Sequence, residues 1–154
     1  MPNAPYSVEF VNRLLASHFR LTGQPLLQRM PAEPDEAIAG RLYSAPFAVV
    51  AHDDSPDPRF VYANLTAQRL FERDWEEFVG LASRLSAEAG EQAERARLLE
   101  RVTAHGFIDD YSGVRIAKSG CRFRIQRATV WNVSDAGGRR IGQAAMFSSW
   151  EPAS

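Results

Sequence analysis

His52, Asp53, Asp54 and Asp57 fall in one short stretch, AHDDSPDP, the only place in the chain where a base and several carboxylates gather. A histidine beside an aspartate is a pairing used for general-base work, and clustered carboxylates can hold a divalent cation. Pro56 and Pro58 in the same stretch signal a solvated turn, where acids more often fasten the chain than do chemistry. The other two histidines, His18 and His105, stand at no metal-ligand spacing from His52 or from each other. His105 precedes Gly106 and reads as a helix-end residue favoured by the helix dipole. Cys121 is the single cysteine, which excludes an intramolecular disulfide and a cysteine-rich zinc site. The chain has no GxSxG elbow, no glycine-rich phosphate loop and no Cys/His pair. The expectation is therefore no catalytic residue, no metal ligand and no haem signature. An enzyme using the His52/Asp53 cluster is the minority alternative.

The elements that must position these residues follow from periodicity and caps. Ser7 is a candidate N-cap, and Phe10, Val11, Leu14, Leu15, His18 and Phe19 recur at helical spacing until Gly23 and Pro25. That helix has an apolar face to bury, either on the outside of a sheet or against a second subunit. Prolines 25, 31 and 34 mark a linker, and Asp35 to Tyr43 offers a second short helix. Phe47 to His52 and Arg59 to Ala63 read as two strands joined by the acidic turn. Asn64 then suits an N-cap for a helix carrying Leu65, Ala67, Leu70 and Phe71, and Asp74 caps a further turn with Trp75 and Phe78 before Gly80. Ser86 or Glu88 opens the longest helix, running through Arg95, Leu98, Leu99 and Val102 to Gly106, with Glu91, Glu94, Arg97, Glu100 and Arg101 on its wet face. From Phe107 the period changes to two. Phe107 to Lys118, Cys121 to Val133 and Arg139 to Trp150 read as strands, with turns at Ser119-Gly120 and Asp135 to Gly138. In the middle strand Phe123, Ile125, Thr129, Trp131 and Val133 alternate with polar residues as one covered face.

Composition narrows the function further. The 154 residues suit one domain that buries about two thirds of its unfolded surface. Eighteen basic against 19 acidic residues leave a formal net charge of -1, so no global field favours nucleic acid or an anionic membrane. The N-terminal MPNAPYSVEF lacks the basic and apolar regions of a signal peptide, and no apolar run is long enough to span a bilayer. A cytoplasmic setting is expected.

The order of elements, together with four stretches of sequence, resembles a PAS domain and more closely the PAS-like MEKHLA domain family. The stretches are Ala45 to Asp53 (APFAVVAHD), Pro58 to Glu88 with its WEEFVGLASRLSAE end, Glu100 to Ile116 (ERVTAHGFIDDYSGVRI) and Gly142 to Trp150 (GQAAMFSSW). The six-letter string that names the family is absent. The resemblance implies an α+β fold: a PAS-like five-stranded antiparallel sheet with helices on one face, enclosing a small cavity. It divides the chain into an N-terminal helical extension and linker, 1–44, and a PAS-like domain, 45–151. It also implies a ligand-binding set. Phe71, Trp75 and Phe78 would wall the cavity and Val49, Phe123, Ile125 and Met146 would floor it. Asn64 would hold the strand-to-helix turn, and Tyr111, Gln143 or Ser148 would supply polarity.

Cys121-Arg122-Phe123 imitates the CRF of light-sensing LOV domains, whose cysteine bonds to flavin. That cysteine follows an asparagine and sits on a helix, whereas Cys121 follows a glycine turn and starts a strand, so no covalent flavin is expected and the cofactor is left unknown. The resemblance implies a stand-alone sensory or regulatory module. It would bind a small, largely apolar or aromatic metabolite and signal by dimerisation or through a partner protein, with no nucleic acid or membrane partner. The alternative is a ligand-free interaction module, in which the first helix or the Trp131 strand forms a homodimer.

Overall fold

The computed structural model describes residues 4–153. Ser7 caps the first helix, α1 (Val8–Thr22), by accepting a hydrogen bond from the Phe10 amide, and Gly23 ends it in the left-handed region at φ 76°. α2 (Asp35–Tyr43) follows, then β1 (Ala48–Asp53) and β2 (Phe60–Ala63). After β2 come α3 (Leu65–Phe71), the one-turn α4 (Trp75–Phe78) and a 3₁₀ turn, Ser83–Ser86. α5 (Ala89–His105) leads into β3 (Phe107–Ile116), β4 (Arg122–Ser134), β5 (Arg140–Phe147) and β6 (Ser149–Pro152). The strands form one antiparallel sheet in the order β2-β1-β5-β4-β3, with β6 continuing beyond β5 along the first half of β4. The strand expected from Arg139 to Trp150 is thus two strands broken at Ser148, and the five-stranded plan carries a sixth segment. No described helix is long and apolar enough to cross a membrane.

Helices cover both faces of this sheet. On one side α3, α5 and Phe78 of α4 pack with Ala48, Phe60, Tyr111, Phe123, Ile125, Val130 and Phe147. On the other, α1 and α2 bury Val49, Ala51, Tyr62, Trp131 and Val133 beneath Val11, Leu14, Ala39 and Leu42. Of the two placements open to α1, the structure shows the outside of the sheet. The His18 ring meets Trp131 edge-on at 4.9 Å, and the Ser17 hydroxyl accepts the Ser134 amide at 2.9 Å. The outer edge of β2 is covered by residues 80–83, which exchange backbone hydrogen bonds with Phe60 and Pro58. An unpaired edge is thereby removed.

β4 does not keep one face inward. Between Tyr111/Ala128 and Gly113/Ile125 it takes three steps against two of β3, and Arg127 adopts φ 50°. This bulge reverses the alternation. Phe123 and Ile125 face the α5 side, while Trp131 and Val133 face α1. One covered face along the whole strand, expected from simple alternation, is therefore corrected to two half-faces. β3 carries the complementary extra residue between Ile108 and Tyr111, where Asp109 and Asp110 are both exposed.

Asn64 ties these parts together. It is fully buried, caps α3 by accepting from the Ala67 amide at 3.2 Å, and accepts the Val49 amide at 3.0 Å. Its amide nitrogen donates to the carbonyls of Leu42 at 3.1 Å and Phe47 at 2.8 Å. Loss of this side chain removes four hydrogen bonds to backbone groups of three segments at once, whereas Asp74 caps α4 from an exposed position. Asn64→Ala should cost about 3 kcal/mol or more, against about 1 kcal/mol for Asp74→Ala. Urea unfolding midpoints of the two variants check this, and equal shifts would refute the bridging role of Asn64.

Candidate functional site

The α5-side core encloses a cavity of about 70 Å³. Its sheet wall is Val50 and His52 of β1, Ala145 and Phe147 of β5, Ile125, Ala128 and Val130 of β4, and Tyr111 and Arg115 of β3. Phe71 closes one end, and Ser83, Ser86, Arg95, Leu98 and Leu99 form the helical wall. Burial and alternation explain which residues reach it: Val50 and His52 share one face of β1, and Tyr111, Gly113 and Arg115 share one face of β3.

Polar groups punctuate this apolar lining. Arg95 and Arg115 are 9% and 8% exposed, and neither forms an ion pair among the described residues. Arg95 donates to the Ser83 hydroxyl and Arg115 to the Val114 carbonyl at 2.9 Å. Desolvation by burial, with Arg115 nearby, pulls the Arg95 guanidinium down to about 10, so it stays charged at neutral pH. The Arg115 guanidinium carbon lies 5.5 Å from the centroid of the Tyr111 ring, whose buried hydroxyl has no hydrogen-bond partner. That hydroxyl lies over Gly113, where any added Cβ would collide with it.

Gln143 clasps α5 to the sheet, donating to the Leu99 carbonyl at 3.2 Å, the Thr103 hydroxyl at 3.0 Å and Asn132 Oδ1 at 3.0 Å. His52 Nδ1 donates to the Asp53 carbonyl at 2.8 Å in the neutral tautomer, which leaves the buried Nε2 as an unpartnered acceptor. Burial lowers the His52 pKa.

The acids near His52 serve the loop. Asp53 Oδ1 accepts from the Ser55 amide and hydroxyl and from the Arg59 amide. Asp54 pairs with Arg140 at 2.8 Å and Asp57 with Arg84 at 3.2 Å. A base oriented by a carboxylate is not what this geometry builds, because the His52 ring is held by a backbone carbonyl.

Of the residues expected to bind ligand, Phe71, Tyr111 and Ile125 line the cavity. Phe78 and Phe123 stand behind it, edge-on to Phe71 at 5.3 and 5.0 Å. Val49, Trp75 and Met146 lie with the α1-side cluster, since Val49 and Met146 are register partners whose side chains share the opposite face. Asn64 sits at the junction of α2, β1 and α3 and does not line the cavity. Of the polar candidates beyond that set, Gln143 lines the cavity and Ser148 is exposed at the break between β5 and β6. The lining arginines fall outside the expected set, although Arg95 stands three and seven residues before Leu98 and Val102 on the apolar stripe of α5.

The profile of the MEKHLA domain matches residues 8–152. The chain belongs to the MEKHLA domain family. No curated protein matches it. Among solved structures, this MEKHLA domain is similar to a PAS domain from Colwellia psychrerythraea, with a TM-score of 0.62, 14% identity, and coverage of 72% of this chain and 92% of that one. It is also similar to an RNA-binding Light-Oxygen-Voltage receptor, with a TM-score of 0.62, 24% identity, and coverage of 80% of this chain but 36% of that chain. A fungal LOV domain photoreceptor gives a TM-score of 0.57 at 16% identity, covering 86% and 88%. These likenesses establish a PAS/LOV fold. A flavin does not fit the MEKHLA domain's cavity, whose roughly 70 Å³ has room for only a few waters and not for a three-ring isoalloxazine. Cys121 is exposed ahead of β4 and outside the lining.

One buried histidine, His18, and one half-buried histidine, His52, set a pH dependence. His18, whose Nδ1 meets the Gln24 carbonyl at 2.9 Å, is also lowered by burial. Both rings therefore bind protons more weakly folded than unfolded, so their contribution to stability is full above the unfolded value of about 6.5 and is lost progressively as pH falls from there through the lower folded values. Glu33, Glu72 and Glu77, held below the ordinary carboxylate range by Arg41, Ser119 and Lys118, stay charged in this window. Urea midpoints should fall between pH 7.5 and 5.5, and the double variant His18→Gln/His52→Gln should flatten the slope. A slope equally steep in the double variant would contradict this origin.

Proposed function

We propose that this MEKHLA domain is a sensory or regulatory module that takes a small molecule into the cavity beneath α5 and relays its occupancy across the sheet to α1. The observation that carries the reading is the shared wall. β1, β4 and β5 present Val50, Val130 and Ala145 toward the cavity side and Val49, Trp131 and Ala144 toward the α1 side. Interiors are close-packed, so a side chain displaced on one face is felt by its neighbours on the other. α1 is the natural output surface, because Phe19 is 56% exposed on it while Val11 and Leu14 are buried. A second copy or a partner protein would be recognised there. The RNA binding of one structural neighbour does not carry over, since acidic and basic residues nearly balance here.

Enzymatic chemistry has less support, given the structural duties of Asp53, Asp54 and Asp57. A cytoplasmic, regulatory setting accords with the single exposed cysteine.

Native mass spectrometry of freshly purified protein reads subunit count and any retained small molecule together. The expected result is a non-covalent adduct, with Phe19→Glu lowering the dimer or partner-bound fraction while leaving the melting temperature unchanged. A protein that carries nothing, and whose melting temperature no small molecule in a broad metabolite screen raises, would sink the sensory reading and leave the interaction module.

A further inference from the structure

Resting on the ligand-binding reading above, the structure also points to what kind of molecule the cavity takes. A guanidinium removed from water is tolerated when a carboxylate or other anion pairs with it, and is otherwise expensive. Arg95 and Arg115 come from opposite walls, are both more than nine-tenths buried, and have no acid as an ion-pair partner among the described residues. Asp57 lies near enough to act on Arg95 through its charge but is already engaged with Arg84. Glu91 and Glu94 act on Tyr111 and make no salt bridge with either arginine.

The hydrogen bonds the two side chains do make, to the Ser83 hydroxyl and the Val114 carbonyl, leave most of their N–H groups unassigned. The unpartnered Tyr111 hydroxyl adds a third donor at the same cavity. Between these groups the lining is apolar: Val50, Phe71, Leu98, Ile125 and Val130.

We propose that the cavity is a carboxylate-recognition site, in which Arg95, Arg115 and the Tyr111 hydroxyl hold the carboxylate of a small organic acid whose body packs against the apolar lining. Guanidinium suits this task because its planar fork matches a carboxylate's two oxygens. The volume sets the size. At about 10–15 Å³ per water, a cavity of about 70 Å³ admits about five to seven waters, hence an acid of about as many heavy atoms, with a short aliphatic chain. Gly113 belongs to the same device, since only a residue without Cβ leaves the Tyr111 hydroxyl its place.

The test is a thermal-shift and calorimetric series on the full chain with acetate, propionate and butyrate, each beside its uncharged amide, and with inorganic phosphate. At least one acid should raise the melting temperature while its amide does not, and Arg95→Met or Arg115→Met should weaken that acid by about tenfold or more. Because each arginine is an uncompensated buried charge without ligand, the same methionine variants should melt no lower than the ligand-free parent. That readout separates a ligand-holding role from a structural one, which would lower the melting temperature.

No acid outperforming its amide overturns the carboxylate assignment, as does destabilisation by both methionine variants. Phosphate binding alone, without any organic acid, also overturns it. The broader reading is tested separately: amides that bind, or a neutral molecule retained in native mass spectrometry, keep the sensory module while removing its anion specificity, and a protein that takes up no acid, amide or neutral molecule removes both.

Discussion

The Asn64 side chain is the interaction on which the rest of the fold depends, because it fixes where three segments meet before any of the sheet's wide faces can pack. Its oxygen takes the amides of Val49 and Ala67, and its nitrogen gives to Leu42 and Phe47. One side chain thus sets the end of α2 and the starts of β1 and α3. All four partners are backbone groups, and at the fully buried Val49 and Ala67 the amide would lose its bond where water is excluded. With the junction held, Thr66 adds a further tie to the Ala45 carbonyl at 2.6 Å, and Gln68 reaches both the Tyr43 hydroxyl and the Ala63 carbonyl at 2.9 Å. Phe71 is thereby aimed at the α5-side core.

Much of this was legible in the residues because local chemistry decides it. Ser7, Asn64 and Asp74 each cap the helix their type and position announce, and Gly23 and Gly106 end α1 and α5 at positive φ. The strands from Phe107 onward follow from period-two runs between turn residues. What the pattern could not carry is which face each half-strand shows. Arg127 has no glycine or asparagine signature for a left-handed φ, and the compensating extra residue in β3 falls at Asp109-Asp110, two acids that any exposed strand tolerates. Because side-chain direction has a period of two, one unmarked residue moved Phe123 and Ile125 to the opposite face from Trp131. The cavity list inherited that uncertainty. Val49 and Met146 face α1, and their neighbours Val50 and Ala145 face the cavity.

The arginines were harder to see for a different reason. Arginine is spread along every segment of this chain, so an arginine on an apolar stripe carries little signal in composition. Only the stripe's geometry marks Arg95, because Leu98 and Val102 share its side of α5 and are both buried. Arg115 is marked only by sharing a strand face with Tyr111, Gly113 and Ala117, none of which offers it a charge. A cation is legible as buried only once the tertiary neighbours are known.

The two halves of the core differ in what they can do, and the difference assigns their roles. The α1 side is closed by large, well-nested groups: Val11, Leu14, Tyr62 and Trp131 are all fully buried, and its rings pack edge to face. The α5 side keeps an internal void and two charges that no protein acid balances among the described residues. Apolar residues of similar volume would serve stability at least as well there, so stability alone does not account for the choice of side chains. In the relay proposed above, a closely packed face and a face with a void lie back to back on one sheet, so that filling the void would act on the surface of α1 through the shared strands. The Gln143–Asn132–Thr103 clasp keeps α5 seated at the cavity's border with β4 and β5. On the proposed reading, displacement by an occupant would be directed into the sheet and not into loosening of the helix.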